Sequence, residues 1–253
     1  VKIAVCIKQV PARDSVLRVE NSALREADFS YEINEPDAYA LEEGLQLKEK
    51  HGGEVVAVCA GPDRASSTIR EALAKGADRA IHIDVETDAL DALGTATLIA
   101  RALDADRPDL VLTGLQSDDF GYGQTGVILA ELMNLPHATI VMSVESSAGG
   151  ILVKRELENG FFQFVEMPLP ALLTMQSGSN KLRYATLMGI KKAKTKEVRK
   201  VSAQELGGIP RASFITKRLF LPERRKQSQI FEGDAKQAAA SLVEKLKFEA
   251  RVL

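Results

Sequence analysis

The sequence predicts an α/β fold: a doubly wound, mostly parallel sheet with extra antiparallel strands and an extended C-terminal arm ending in a helix. Three observations carry this. Short β-branched runs alternate with helix-period segments over the first two thirds of the chain. The connections between them are short, which favours parallel strands joined by helical crossovers. After Ile151 the alternation gives way to consecutive strand-like runs with no helix between them.

Lys2 to Ile7 is the first apolar run and reads as a buried strand. The helix from Asn34 to Lys50 has Pro36 in its first turn, where a missing N–H costs nothing, and Ala40, Leu41, Leu45 and Leu47 at helical spacing. Glu54 to Ala60 is a second buried strand. Pro62-Asp63 opens a helix through Ile69, Ala72 and Leu73, and Gly76 ends it. Arg79 to Asp84 reads as a strand, Asp91 to Leu103 as a helix and Leu110 to Thr113 as the next strand. Val127 to Met133 is a helix and His137 to Val144 a strand. Ile151 to Leu157, Gly160 to Val165 and Leu169 to Met175 follow as strands, with Glu158-Asn159-Gly160 a hairpin turn.

From about Asn180 regular alternation is lost. The chain carries Lys191, Lys192, Lys194, Lys196, Arg199 and Lys200, and later Lys217, Arg218, Arg224, Arg225 and Lys226. Interleaved aromatics are missing, so this basic run reads as a solvated or partner-facing arm, not a nucleic-acid surface. The last helix, Asp234 to about Glu249, is capped and sets Ala238, Ala239, Leu242, Val243 and Leu246 on one side.

With 253 residues the chain can bury a full core and still carry an appendage. A hydrophobic share of 45% and a net charge of −2 are ordinary for a globular protein and give no reason to invoke nucleic acid. Cys6 and Cys59 lie in apolar runs that suit buried, reduced thiols. The first residues lack a signal peptide's charged region and cleavage site, and no apolar run is long enough to span a bilayer. A cytoplasmic location is therefore expected, or the mitochondrial matrix in a eukaryote.

The candidate site is Gly114 to Gly126 (GLQSDDFGYGQTG), a small and polar loop between a predicted strand and helix. Open α/β sheets bind ligands at such loops. Free N–H groups at a helix start, together with the helix dipole, attract phosphate. Gly121, Gly123 and Gly126 allow close backbone approach, and Ser117, Gln124 and Thr125 add side-chain partners. The same chemistry also fits an ordinary connection with a polar cap. Asp118 and Asp119 suit an acid and base, and equally a helix cap or a hydroxyl ligand.

Side-chain catalysis finds little support. His51, His82 and His137 have no second ligand at metal spacing. A phosphate-binding Gly-rich lysine loop, a Gly-x-Ser-x-Gly elbow and a Cys-x-x-Cys pair are all absent, and Gln9-Val-Pro-Ala-Arg-Asp14 stands where a dinucleotide fingerprint would follow the first strand. The expected role is binding.

Several segments together resemble the β subunit of electron-transfer flavoprotein. They are Lys2 to Lys8, Ile33-Asn-Glu-Pro-Asp-Ala38, Ala60-Gly-Pro62, Ala74 to Arg79, Gly114 to Gly126, Arg155 to Gly160, Pro170 to Thr174 and Asn180 to Leu187. They cover nearly the whole chain in matching order, and Arg183-Tyr-Ala-Thr-Leu187 is the most specific. The resemblance implies a Rossmann-like domain at 1–180. It implies that 181–253 carries a recognition loop and an arm packing on an α subunit, which holds most of the contacts to a redox-active FAD.

In non-bifurcating members β binds a structural AMP. Carried over by position, its contacts here are Cys6, Asn34, Glu35, Pro36, Asp37, Ala60, Leu115, Gln116, Ser117, Asp118, Asp119, Phe120, Gly121, Tyr122, Gly123, Gln124, Thr125 and Gly126. In flavin-bifurcating members a second FAD replaces AMP, and the loop resembles Asp-Gly-Asp-Thr-Ala-Gln-Val-Gly. This chain departs from that pattern, which makes bifurcation the alternative. Leu187 matches a docking anchor for partner dehydrogenases, and Glu156 a carboxylate that influences flavin-domain mobility. The implied role is an electron carrier, not an enzyme, between dehydrogenases such as acyl-CoA dehydrogenases and a membrane quinone oxidoreductase. A free-standing nucleotide sensor of universal-stress type shares the fold class but leaves the arm from Asn180 unexplained.

Overall fold

The computed structural model describes residues 1–253 apart from 22, 87, 89 and 223–227. Its first part runs β1 (Lys2–Cys6), β2 (Gln9–Pro11), β3 (Val19–Glu20), β4 (Ala23–Leu24), β5 (Tyr31–Ile33), α1 (Glu35–His51) and β6 (Glu54–Gly61). Then come α2 (Ser66–Lys75), β7 (Arg79–Asp84), α3 (Ala92–Leu103), β8 (Leu110–Gly114), α4 (Thr125–Leu132) and β9 (His137–Ser147). The chain continues through β10 (Gly150–Glu156), β11 (Phe162–Met167), β12 (Ala171–Met175), α5 (Leu187–Ala193), β13 (Val198–Ser202) and α6 (Ala235–Phe248).

Side-chain alternation on β1 sets the layers. Ile3 and Val5 join a core shared with Leu41 and Leu45 of α1 and Ile69 and Leu73 of α2. Ala4 and Cys6 join a second core with Leu98, Ile99 and Leu103 of α3 and Leu129 of α4. Both faces of the central strands are thus covered by helices, which is why their sequences are continuously apolar.

Among the described residues, nine strands form one sheet in the order β11-β10-β9-β12-β8-β1-β6-β7-β13. From β9 to β13 in that order all neighbours are parallel, while β10 and β11 are antiparallel additions. Asn159 at φ 58° and Gly160 at φ 77° form the turn between β10 and β11 that the sequence predicts. The chain steps outward from β1 through β6 and β7, then returns to the other side of β1 at β8. That reversal opens a crevice at the carboxyl ends of β1 and β8, the place where doubly wound sheets bind ligands.

The structure departs from the sequence expectation after Asn180. The basic run forms helix α5 and then β13, an edge strand parallel to β7. Much of its charge is used internally. Lys196 Nζ caps carbonyls of Leu73 and Ala77, Arg199 bonds Ala102 O and Asp106, and Lys200 pairs with Asp63 and Asp84. A charged edge strand suits this place because it blunts further pairing. The predicted basic residues Arg224, Arg225 and Lys226 lie outside the described residues. Helix α6 begins with a capping box between Asp234 and Gln237 and buries none of its residues.

Candidate functional site

The cleft at the switch point is built by elements that end there. β1 delivers Cys6, Ile7 and Lys8, β6 delivers Ala60, and β8 runs into Thr113 and Gly114. Asp37, in the first turn of α1, ties the two central strands together. Its Oδ2 accepts from Lys8 N at 2.8 Å and its Oδ1 from Gly114 N at 2.9 Å. Burial pushes the Asp37 carboxyl up to about 7, against the lowering effect of Asn34 and the two backbone donors. Burial, then the nearby Asp37, raises the Cys6 thiol, so it stays protonated.

Asn34 holds the loop as Asp37 holds the strands. Its Nδ2 donates to Gln116 O at 2.9 Å, and its Oδ1 accepts from Asp118 N at 2.8 Å. Gly114 is required by this closeness: a Cβ there would collide with Asp37 Oδ1 and lie 2.7 Å from Pro36 Cβ. Gly126 serves helix packing, since its Cβ would lie 2.7 Å from both Thr113 Oγ1 and Thr174 Cγ2. Gly121 and Gly123, at φ 65° and 62°, supply left-handed turns in the loop between them.

Helix α4 starts at Thr125, two residues before the predicted start, and no side chain among the described residues caps it. Gln124, Thr125 and Gly126 line the cleft there, leaving first-turn N–H donors to a ligand. Opposite stands an aromatic wall. Phe120 and Tyr122 stack with centroids 5.4 Å apart, and Phe214 from the arm meets Tyr122 edge-on at 5.5 Å.

Of the predicted contacts, Cys6, Asn34, Asp37, Ala60, Leu115, Gln116, Ser117, Phe120, Tyr122, Gly123, Gln124, Thr125 and Gly126 line this one cleft. Glu35, Pro36, Asp118, Asp119 and Gly121 are not among its lining residues. Asp119 pairs with Lys8 at 2.6 Å, while Asp118 faces Arg13 at 3.5 Å and Arg13 also pairs with Glu35. Neither aspartate caps α4, and each is charge-matched. Sequence reasoning missed Lys8, the start of α3 at Asp91 and Ala92, and Phe214 and Thr216. Lys8 follows the first strand directly, a position the sequence marks as the end of a strand, whereas the arm residues carry no local signal.

Leu187 is 81% exposed, and Tyr184 beside it 93%. It opens helix α5 instead of lying in a loop, and Thr186 Oγ1 caps that helix by accepting from Gly189 N at 3.0 Å. The segment before it is pinned to α1. Arg183 Nε donates to Glu42 Oε2 at 2.7 Å and Nη1 to Glu49 Oε1 at 2.6 Å, while Asn180 Nδ2 donates to Tyr39 O at 3.2 Å. Burial works to raise the Glu42 carboxyl, but hydrogen bonds from Arg183 and Gln46 outweigh it and hold it below the usual range. Glu156, half-buried at the end of β10, accepts from Gln176 Nε2 at 3.1 Å.

Fold and cleft together define the class: a Rossmann-like α/β protein with a ligand cleft at its switch point. The electron transfer flavoprotein domain matches residues 22–206. The chain belongs to the electron transfer flavoprotein family, among its β subunits. It is 36% identical to the electron transfer flavoprotein subunit beta of Methylophilus methylotrophus, covering 96% of this chain and 97% of that protein. It is 34% identical to the mitochondrial subunit beta of Oryza sativa subsp. japonica, covering 100% of both. With Protein FixA of Sinorhizobium fredii the identity is 35%, over 90% of this chain and 86% of that protein.

Proposed function

We propose that this chain is the β half of a heterodimeric electron-transfer flavoprotein and holds AMP in the switch-point cleft. The observation that carries this is the convergence of β1, β8, α1 and α4 on one cleft with an uncapped helix start. The residues fit an adenylate. First-turn N–H groups at Gln124 to Gly126 suit a phosphate, and the apolar flank of Leu90, Ile99 and Leu129 suits a planar base. Bound AMP would serve structure, and the FAD held mainly by the α subunit would accept and pass on the electrons. This chain's residues bind, orient and support; the buried thiol of Cys6 takes no part as a nucleophile.

In this proposal residues 1–180 make most of the nucleotide contacts, and 181–253 carry the recognition loop and the arm that embraces the α subunit. Exposed Leu187 docks dehydrogenases such as acyl-CoA dehydrogenases, and Glu156 influences flavin-domain mobility. Electrons leave for a membrane quinone oxidoreductase. No helix among the described residues is long and apolar enough to cross a membrane. The proposed location is the cytoplasm, or the mitochondrial matrix in a eukaryote.

A second reading puts FAD in the AMP position, as in bifurcating members. Membership of the family is compatible with either nucleotide and does not separate the two. The loop favours AMP, because Phe120 and Tyr122 stack where the bifurcating pattern has smaller residues. Denaturing the purified heterodimer and analysing its nucleotides tests this. One FAD and one AMP are expected. Two FAD would establish the second reading, and a single FAD with no other nucleotide would refute both.

A further inference from the structure

The arm reaches the cleft by a route that the structure makes visible. After β13 the chain turns at Gly207 and Gly208, both at positive φ, and Arg101 Nη1 near the end of α3 donates to Leu206 O at 2.8 Å. It then returns along α3 to that helix's start. There Asp91, 4% exposed, does two things with one carboxylate. Oδ1 accepts from Gly94 N at 2.7 Å and caps α3, while Oδ2 accepts from Ser213 N of the arm at 2.6 Å. The backbone donors of Gly94, Ser213 and Phe214 hold the Asp91 carboxyl below its ordinary range, as expected for a charge-assisted contact. The next residue, Phe214, completes the aromatic wall against Tyr122, and Thr216 also lines the cleft.

We propose that Asp91 and Phe214 complete the nucleotide site: the Asp91 carboxylate latches the arm across the cleft, and Phe214 closes its aromatic wall, so that bound nucleotide leaves only when the arm lifts. This rests on the assignment of the cleft to an adenine nucleotide. Its consequence is that nucleotide retention is coupled to a segment 122 residues away in sequence, which also leads to the partner-facing helix α6. The ligand class is a planar base, suited to the cleft wall that Phe214, Leu90 and Ile99 line.

The test uses the full heterodimer loaded with labelled AMP, freed of excess and chased with unlabelled AMP. Asp91→Asn keeps the helix cap, because an amide oxygen still accepts from Gly94 N, but turns a donor toward Ser213 N. Phe214→Ala removes the ring and leaves the latch. Each variant is expected to release label at least about tenfold faster than wild type, equivalent to about 1.4 kcal/mol, with circular dichroism unchanged. Limited proteolysis should cut the arm faster in Asp91→Asn and, in wild type, faster after AMP is stripped. Stoichiometric AMP with wild-type release in both variants would overturn the latch while leaving the nucleotide site intact. Wild-type complex that holds no AMP would overturn both.

Discussion

Replacing Gly114 with alanine tests the architecture of the cleft at its tightest point. The new Cβ would collide with Asp37 Oδ1 and lie 2.7 Å from Pro36 Cβ and 2.8 Å from Asp37 N. Pro36 Cβ and Asp37 N belong to the first turn of α1, and Asp37 Oδ1 is held there by its bond from Gly114 N, so the start of α1 must move. Overpacking of this kind costs ~1–3 kcal/mol. Moving Asp37 also weakens its bond from Gly114 N, which contributes ~1 kcal/mol while the carboxyl is neutral and ~1.5–3 kcal/mol once it ionises. Partial relaxation recovers some of the sum, leaving about 3 kcal/mol. For a chain of this size that lowers the melting temperature by about 6–12 °C. Gly123→Ala is the comparison: its Cβ would meet nothing closer than Leu115 O at 3.7 Å, and only its φ of 62° opposes the change. It should cost about 1 kcal/mol. The assay is thermal melting of the purified heterodimer with nucleotide counted in the same sample. Gly114→Ala should melt lower and hold less nucleotide than either wild type or Gly123→Ala. The reasoning is refuted if Gly114→Ala melts within about 2 °C of wild type with full nucleotide.

Leu187→Ala should slow electron transfer with a cognate dehydrogenase by about tenfold at limiting carrier, with melting unchanged, because its side chain is exposed and in the proposed role contributes to docking alone. A variant that melts several degrees lower yet transfers at full rate would assign Leu187 to stability. Arg183→Ala leaves Glu42, 4% exposed, without its main partner and should cost roughly 3 kcal/mol, read by melting. Adding Glu42→Gln should recover part of that loss, and a double variant no better than the single one would contradict the pairing argument. The Asp37 carboxyl, raised by burial to about 7, stabilises the fold fully below its ordinary value of 3.8 and loses that contribution as pH climbs through 7. Glu42 and Asp91 are shifted down and act in the opposite sense, losing their contribution as pH falls. Stability should therefore fall between about pH 4 and 7 in wild type and less so in Asp37→Asn. Equal slopes in the two proteins would show that Asp37 does not titrate in this window.

Much of this molecule is legible in its sequence because the signals are local. Ile3, Ala4, Val5 and Cys6 form an unbroken apolar run, and that alone marks β1 as buried on both faces. Asp91, Gly52 and Gly76 bound their helices through chemistry acting over three or four residues. The loop from Gly114 to Gly126 stands out for the same reason: a strand, a run of small and polar residues, and a helix follow in order. Segments with mixed chemistry were harder. Val198 to Ser202 carries Arg199 and Lys200 among its five residues, so neither its charge nor its period marks an edge strand.

By itself, then, the sequence determined the main strands and helices of the first two thirds, though not the short β2 to β5, the loop that lines the cleft and the family to which the chain belongs. Only the tertiary structure decided what the arm packs against at the cleft and how the segment before Leu187 is held. Asp91 meets Ser213 across 122 positions, Arg183 meets Glu42 across 141, and Lys8 meets Asp119 across 111. No period or cap spans such distances. Side-chain periodicity follows from backbone geometry within a few residues, whereas these pairs form only because the packed sheet brings the ends of α1, α3 and β8 together and leaves buried carboxylates that must find donors.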